Sequence, residues 1–186
     1  MGTTYYERDA MKPESQQDEL YKEAATHHSH ALERLVRAYE ADPDRQKDLL
    51  QEIHFALWQS CGHYESRCSL RTWVYRVAHN TAASYALRER RSHASAWVGL
   101  EEIELIADSS AAHNSADRRR DLEKLMELVR RLRPPERQLM LLYLEGMDAE
   151  SIGEVAGIST GNVRVQIHRI KAALARRFHG VLNHER

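Results

Sequence analysis

DAESIGEVAGISTGNVRVQIHRIKAALARR, residues 148–177, is the stretch whose pattern decides the fold. It reads as two short helices joined by a tight turn. Asp148 is placed to cap the first, which carries Ile152, Val155 and Ala156 on one face. Gly157 stands where that helix must stop, because glycine enters the left-handed conformation without a Cβ clash. Ile158 then points back inward, and Ser159 can cap the second helix. In that helix Val163, Ile167, Ile170 and Leu174 recur at i, i+4, i+7 and i+11, which makes one apolar stripe.

The rest of the second helix is basic and polar, and no Asp or Glu occurs between Glu154 and Glu185. A thin cylinder with cationic and hydrogen-bonding side chains facing out suits the major groove of DNA. A solvated helical hairpin would show the same apolar stripes, but it would not need an acid-free face. Thr160, Gly161 and Asn162 lie in the first turn, where a helix N-terminus favours a phosphate. Arg164, Val165, His168 and Arg169 point away from the apolar stripe and are the candidates for base edges. Lys171, Arg176 and Arg177 lie further along, toward phosphates or solvent.

The 186 residues hold one ordinary domain or two small ones. The formal net charge is −1, so any affinity for nucleic acid must come from local segregation of charge. Two cysteines, Cys61 and Cys68, are too few for a disulfide scaffold and suit a reducing cytoplasm. No run approaches a membrane span, and the N-terminus has no apolar signal core. Strand-like alternation is scarce. The expected class is all-α: a mobile N-terminus over 1–17, a helical domain over 18–92, a flexible linker over 93–116 and a helix–turn–helix domain over 117–182.

The first domain begins with an amphipathic pattern from Asp18 to Tyr39, interrupted by His27, His28 and His30. These histidines lack a thiol or carboxylate at ligand spacing, and Cys61 and Cys68 lack a compact ligand motif. No metal or other cofactor is therefore expected. Asp42 and Pro43 open the next helix, with Leu49, Leu50, Ile53 and Leu57 inward. Its other side bears Asp48, Gln51 and Glu52, either a solvated face or a protein-docking one. CGHYESRCS, residues 61–69, is a loop, and Ser69 caps a third helix. There Leu70, Trp73, Val74, Val77, Ala78 and Thr81 face the core, while Arg76, Asn80, Ser84 and Arg88 form a stripe spaced by four. No acid occurs between Glu65 and Glu89. Arginines hold phosphates and aromatics stack on exposed bases, so Tyr64 and Tyr75 stand open between core and strand contact. Residues 90–116 lose periodicity and gain acids, with a short amphipathic piece around 97–106. The second domain then opens at Asp117, turns at Pro134 and Pro135, carries Leu139, Leu142 and Tyr143 inward and closes a helix at Gly146.

Two stretches in this order, DPDRQKDLLQE (42–52) with SLRTWVYRVAHNTA (69–82), then residues 132–174 with the helix–turn–helix, resemble the extracytoplasmic-function sigma factors of bacterial RNA polymerase. The resemblance covers roughly residues 18–178. It implies a specificity subunit with no catalytic site of its own. The first module would bind the clamp of core RNA polymerase and open the −10 element; the second would bind the −35 element and contact the flap. It places Asp48, Leu49, Gln51 and Glu52 against the clamp. Gly62, His63, Tyr64, Glu65, Ser66, Arg67 and Cys68, with Asn80, would hold an unstacked base. Arg164, Val165, His168 and Arg169 would face the −35 groove. An anti-sigma factor often occupies both modules in that family. The sequence departs from the family at Arg45 and Lys47, where acids are usual, at Ser84, often Asp, and at Val165, commonly polar. A dimeric helix–turn–helix regulator would leave the Arg76–Arg88 stripe idle, and an enzyme would need a nucleophile–base pair or phosphate loop that is not seen.

Overall fold

The computed structural model of the chain describes residues 14–92 and 117–183. The expected linker, with its amphipathic piece, and residues 1–13 of the expected N-terminal tail lie outside the described residues. So do the side chains of Leu122 and Arg177. Among the described residues the regular elements are helices: α1 (Glu14–Tyr39), α2 (Pro43–Cys61), α3 (Leu70–Ser92), α4 (Asp117–Arg131), α5 (Pro134–Leu144), α6 (Ala149–Ala156) and α7 (Thr160–Asn183).

Helices α1, α2 and α3 pack pairwise into a first module. Their apolar stripes meet where periodicity places them: Leu32, Leu35 and Val36 of α1, Leu49, Ile53 and Leu57 of α2, Val74, Ala78 and Ala82 of α3. The caps are the expected ones. Asp42 Oδ1 accepts from the amides of Asp44 and Arg45 at 2.9 and 3.0 Å, and Ser69 Oγ accepts from Thr72 N at 3.0 Å. Two boundaries differ. Helix α1 begins at Glu14, because Gln17 is buried and its Nε2 donates to the Trp58 carbonyl at 2.7 Å. It also runs unbroken through His27–His30, since those side chains lie on faces that helix geometry leaves partly or wholly in water.

Helices α4 to α7 form the second module. Leu139 and Leu142 point inward as expected, but Tyr143 is 38 % exposed. Its hydroxyl accepts from Lys171 Nζ at 3.0 Å and its ring lies under the same ammonium, so the basic helix holds it at the surface. The two modules are packed on each other, α3 against α5 and α6, α1 against α4, and their buried apolar residues form one continuous cluster.

At the centre of the first module His79 is 1 % exposed, with Tyr39 and Tyr75 rings about it and the Tyr39 hydroxyl 3.4 Å from Nδ1. Burial lowers its pKa from 6.5 to about 3. The folded chain therefore excludes a proton that the unfolded chain takes up, and stability falls as pH drops from 6.5 toward 3. Chemical denaturation at pH 6 and pH 5 should show His79→Gln losing about 1 kcal/mol less stability than the wild type across that step. Equal losses would mean that His79 is not held neutral.

Candidate nucleic-acid interface

The helix–turn–helix is built from three backbone devices. Asp148 Oδ1 accepts from Glu150 N and Ser151 N at 3.0 and 2.9 Å, and these bonds hold its carboxyl below the usual carboxylate range. Helix α6 ends at Gly157, with φ at +71°, and the amides of Gly157 and Ile158 both bond the Gly153 carbonyl, at 2.8 and 3.1 Å. Helix α7 starts on Ser159, whose Oγ accepts from Asn162 N at 3.3 Å. Gly153 was not singled out from sequence, yet it sets the turn. A Cβ there would lie 2.7 Å from the Ile158 carbonyl oxygen. The signal was available: a glycine four residues before the helix-stopping one.

Val163, Ile167, Ile170 and Leu174 are buried. Asn162, Arg164, His168, Arg169 and Lys171 are exposed, Val165 is 58 % exposed and Thr160 is half-buried. The structure thus brings the expected base-edge set, Arg164, Val165, His168 and Arg169, onto the face opposite the core. Lys171 sits at the edge of that set, tied to Tyr143.

In the first module the expected strand-contact residues divide. His63, Glu65, Ser66 and Arg67 are exposed in the loop between α2 and α3, Cys68 is partly so, and Arg67 pairs with Glu65 at 2.6 Å. Ser66 holds a positive φ of 58°, a strained conformation for a residue with a Cβ. Gly62 and Tyr64 are corrected to structural roles. Gly62 is buried against Gln17, whose Oε1 would lie 3.2 Å from an added Cβ. Tyr64 is 8 % exposed, stacks obliquely on Trp73 and donates its hydroxyl to the Cys68 carbonyl at 2.7 Å, so it braces the loop. Tyr75 is buried too. A cavity of ≈ 510 Å³ opens between His63, Arg67, Trp73, Arg76 and, from the second module, Glu154. Asn80, one turn beyond Arg76, is exposed and does not line it.

The stripe along α3 is not an uninterrupted positive surface. Arg76 Nη2 donates to the Glu154 carbonyl at 2.7 Å, and Arg88 Nη2 donates to both carboxylate oxygens of Glu52 at 2.9 and 2.6 Å. Ser84 is exposed between them. Glu52, expected at a protein-docking face, and Arg88, expected at DNA, therefore share one ion pair. Leu49, expected at the same docking face, is 0 % exposed and belongs to the core. A residue with no surface cannot dock; of the expected set, Asp48 and Gln51 are exposed and Glu52 is half-buried. Arg45 bonds Glu89 at 2.9 Å and Lys47 bonds Asp44 at 2.9 Å, so both unusual cations have acids beside them.

The turn makes a sign-opposed prediction. Gly153→Ala should cost ~1–3 kcal/mol and weaken duplex DNA binding, because the clash is with backbone. Gly161→Ala, where an added Cβ meets nothing within 4 Å, should stabilise by ~0.4–1 kcal/mol. Thermal unfolding of both variants checks this, and destabilisation by both would contradict the geometry of the turn.

Comparison with known proteins places this geometry. The family model Sigma-70 region 2 matches residues 24–92, and Sigma-70, region 4 matches residues 122–174. The chain is 32 % identical over 124 residues to RNA polymerase sigma factor CarQ of Myxococcus xanthus, a match spanning 66 % of this chain and 68 % of that one. It is 27 % identical over 154 residues to the ECF RNA polymerase sigma-E factor of Escherichia coli strain K12, spanning 79 % and 80 %. Among solved structures it is similar in fold to CnrH in complex with the cytosolic domain of CnrY, at TM-score 0.62 and 15 % identity, covering 93 % of this chain and 98 % of that one. It is also similar to the sigma factor RpoE of Bartonella quintana in complex with the anti-sigma factor NepR, at TM-score 0.62 and 18 % identity, covering 89 % and 98 %.

Proposed function

The chain belongs to the extracytoplasmic-function group of sigma-70 RNA polymerase sigma factors, and from that premise we propose that its two modules divide promoter recognition between them. The observation that carries the division is the acid-free exposed face of α7, held outward by the Asp148, Gly157 and Ser159 devices. That face reads the −35 element as duplex. The loop over 63, 65–68, with Arg76, Asn80, Ser84 and Arg88 along α3, takes the −10 element once its strands part, Asn80 supplying an amide for a base edge. Asp48, Gln51 and Glu52 meet the clamp of core polymerase, and the second module meets its flap. The protein contributes no catalytic residue and works in the cytoplasm with the polymerase. Among the described residues no helix is long and apolar enough to cross a membrane. Because the Bartonella quintana neighbour is in complex with an anti-sigma factor and CnrH with the cytosolic domain of CnrY, an anti-sigma factor is proposed here too.

The direct test is transcription in vitro with core polymerase on a promoter library; failure to yield any sequence-specific start would sink the reading. Within it, Arg164→Ala or Arg169→Ala should cost ~1–3 kcal/mol and flatten preference at particular −35 positions. Arg176→Ala should weaken all sequences alike. A salt-titrated binding series against single-base −35 variants separates the two behaviours. If Arg164→Ala lowers every variant by one common factor, Arg164 touches phosphate instead.

Docking has a cleaner probe than charge reversal of the whole face, because replacing Glu52 also breaks its ion pair with Arg88. Asp48→Lys alone should weaken binding to core polymerase several-fold while thermal stability stays within ~0.5 kcal/mol. Unchanged affinity in a titration would remove Asp48 from the clamp surface.

A further inference from the structure

Tyr143 differs from the residues of α5 around it. Leu139 and Leu142 are buried, whereas the Tyr143 ring lies at the surface beside α7. Lys171 Nζ donates to the Tyr143 hydroxyl at 3.0 Å and sits 4.8 Å from the centre of the ring. An ammonium only donates, so the phenolic oxygen is the acceptor and its own proton stays available. Among the described residues no group takes that proton, and no carboxylate pairs with Lys171. Two donors, one charged and one neutral, therefore stand 3.0 Å apart at the surface, each with a hydrogen left over. A backbone phosphate presents two acceptor oxygens on one phosphorus, and a neighbouring ammonium and hydroxyl match that pair.

The place of Lys171 on α7 gives the couple its reach. Arg164, His168 and Lys171 follow at i, i+4 and i+7, and all three are exposed, so they form one row along the helix. Arg164 and His168 belong to the face assigned to base edges, and the far end of the row comes up against α5 at Tyr143. A helix in the major groove with that row toward the bases meets a phosphate strand where it leaves the groove. The acid nearest to Tyr143 in sequence, Glu145, points elsewhere. Arg34 of α1 donates Nε and Nη2 to its two carboxylate oxygens at 2.7 and 2.6 Å, and Tyr75 of α3 donates its hydroxyl at 3.2 Å. Arg71 of α3 donates to the Glu145 backbone carbonyl at 2.7 Å. As a contact within the fold the Tyr143–Lys171 couple contributes little, because water competes for both groups and pinning a lysine costs rotamer freedom. As preparation for a ligand it contributes more: an ammonium already held in place loses less freedom when it meets a phosphate.

We propose that Tyr143 and Lys171 act together as a clamp on one backbone phosphate beside the −35 element. The Tyr143 ring and oxygen hold the ammonium in place, and the phenolic O–H gives the phosphate its second hydrogen bond. The inference rests on the reading of α7 as the −35 helix. It adds α5 to the DNA-binding surface and fixes the position of the bound duplex without reading its sequence.

The experiment uses the full-length chain and two probes: a fluorescein-labelled pool of random-sequence duplexes, and the tightest-binding duplex selected from that pool. Affinities are measured by fluorescence anisotropy over a salt series. Lys171→Ala is expected to weaken both probes about 3- to 10-fold and to lower the salt slope by about one. Tyr143→Phe keeps the ring and removes the hydroxyl. It should weaken both probes about 3-fold and leave the slope unchanged, because a neutral donor releases no counterion. The double variant should fall short of the product of the two single effects. Unchanged affinity in Tyr143→Phe overturns the clamp, and so does a double variant that loses the full product. Weakening of the selected duplex alone makes Tyr143 a base contact and overturns it as well. Equal wild-type affinity for selected and random duplexes overturns the −35 reading and leaves the clamp to stand on its slopes. Failure of the wild type to bind either probe overturns both.

Discussion

Arg137 is a cation with 2 % of its surface in water, the largest fully buried side chain among the described residues. A buried charge must be solvated by the protein itself, or it costs several kcal/mol. Here its Nη2 donates to the carbonyls of Arg130 and Leu132, the groups that α4 leaves without donors as it ends. Its guanidinium lies 4.9 Å from the centre of the Tyr39 ring, which belongs to the first module. Burial pulls its pKa down to about 10, so it stays charged at neutral pH. One side chain therefore closes the turn between α4 and α5 and seats that turn on α1. The direction of α5, the position of Glu145 at its end and the placement of the helix–turn–helix beyond it all follow from this seat.

The charges at the surface follow a related logic. The chain is nearly neutral overall, and several of its described arginines stand in ion pairs. Arg45 with Glu89, and Arg88 with Glu52, staple α2 to α3. The usual acids of the family at Arg45 and Lys47 are missing, yet each cation has a carboxylate at 2.9 Å, so the local field changes less than the sequence suggests. The recognition helix differs in that its own stretch, between Glu154 and Glu185, contains no acid. Segregation in sequence, with an acid-free stretch along the recognition helix, is what lets a protein of net charge −1 carry a nucleic-acid surface.

Helix positions, caps and the inward faces were legible in the sequence, since they depend on spacing within one element. Asp42, Ser69, Asp148, Gly157 and Ser159 all do what local chemistry demands of them. The recognition face was legible for the same reason: what is not on the apolar stripe of α7 is outside. Contacts across elements were not legible. Leu49 was assigned both to a core stripe and to a docking face, and only the burial of α2 against its neighbours decides between them. Tyr64 and Tyr75 could stack on bases or on the core, and the partners that settle it, Trp73 and Glu145, lie 9 and 70 residues away. Arg34, Arg71 and Glu145 gave no sign in the sequence of the contacts they make. Each matters because of one atom on another segment, and a period of 3.6 residues contains no information about that atom.

Arg137 and Glu145 also come late in the chain, and synthesis has a direction. The first module is complete in sequence at Ser92, while the residues that fasten the second module to it follow tens of positions later. At roughly 5–20 residues per second, the span from 92 to 145 occupies about 3–10 s of translation. For that interval the newborn first module presents Tyr39 without its cation, and Arg34, Arg71 and Arg76 without acceptors from the second module. Every copy of the protein thus passes once, at the ribosome, through a state in which half of it is finished and uncovered.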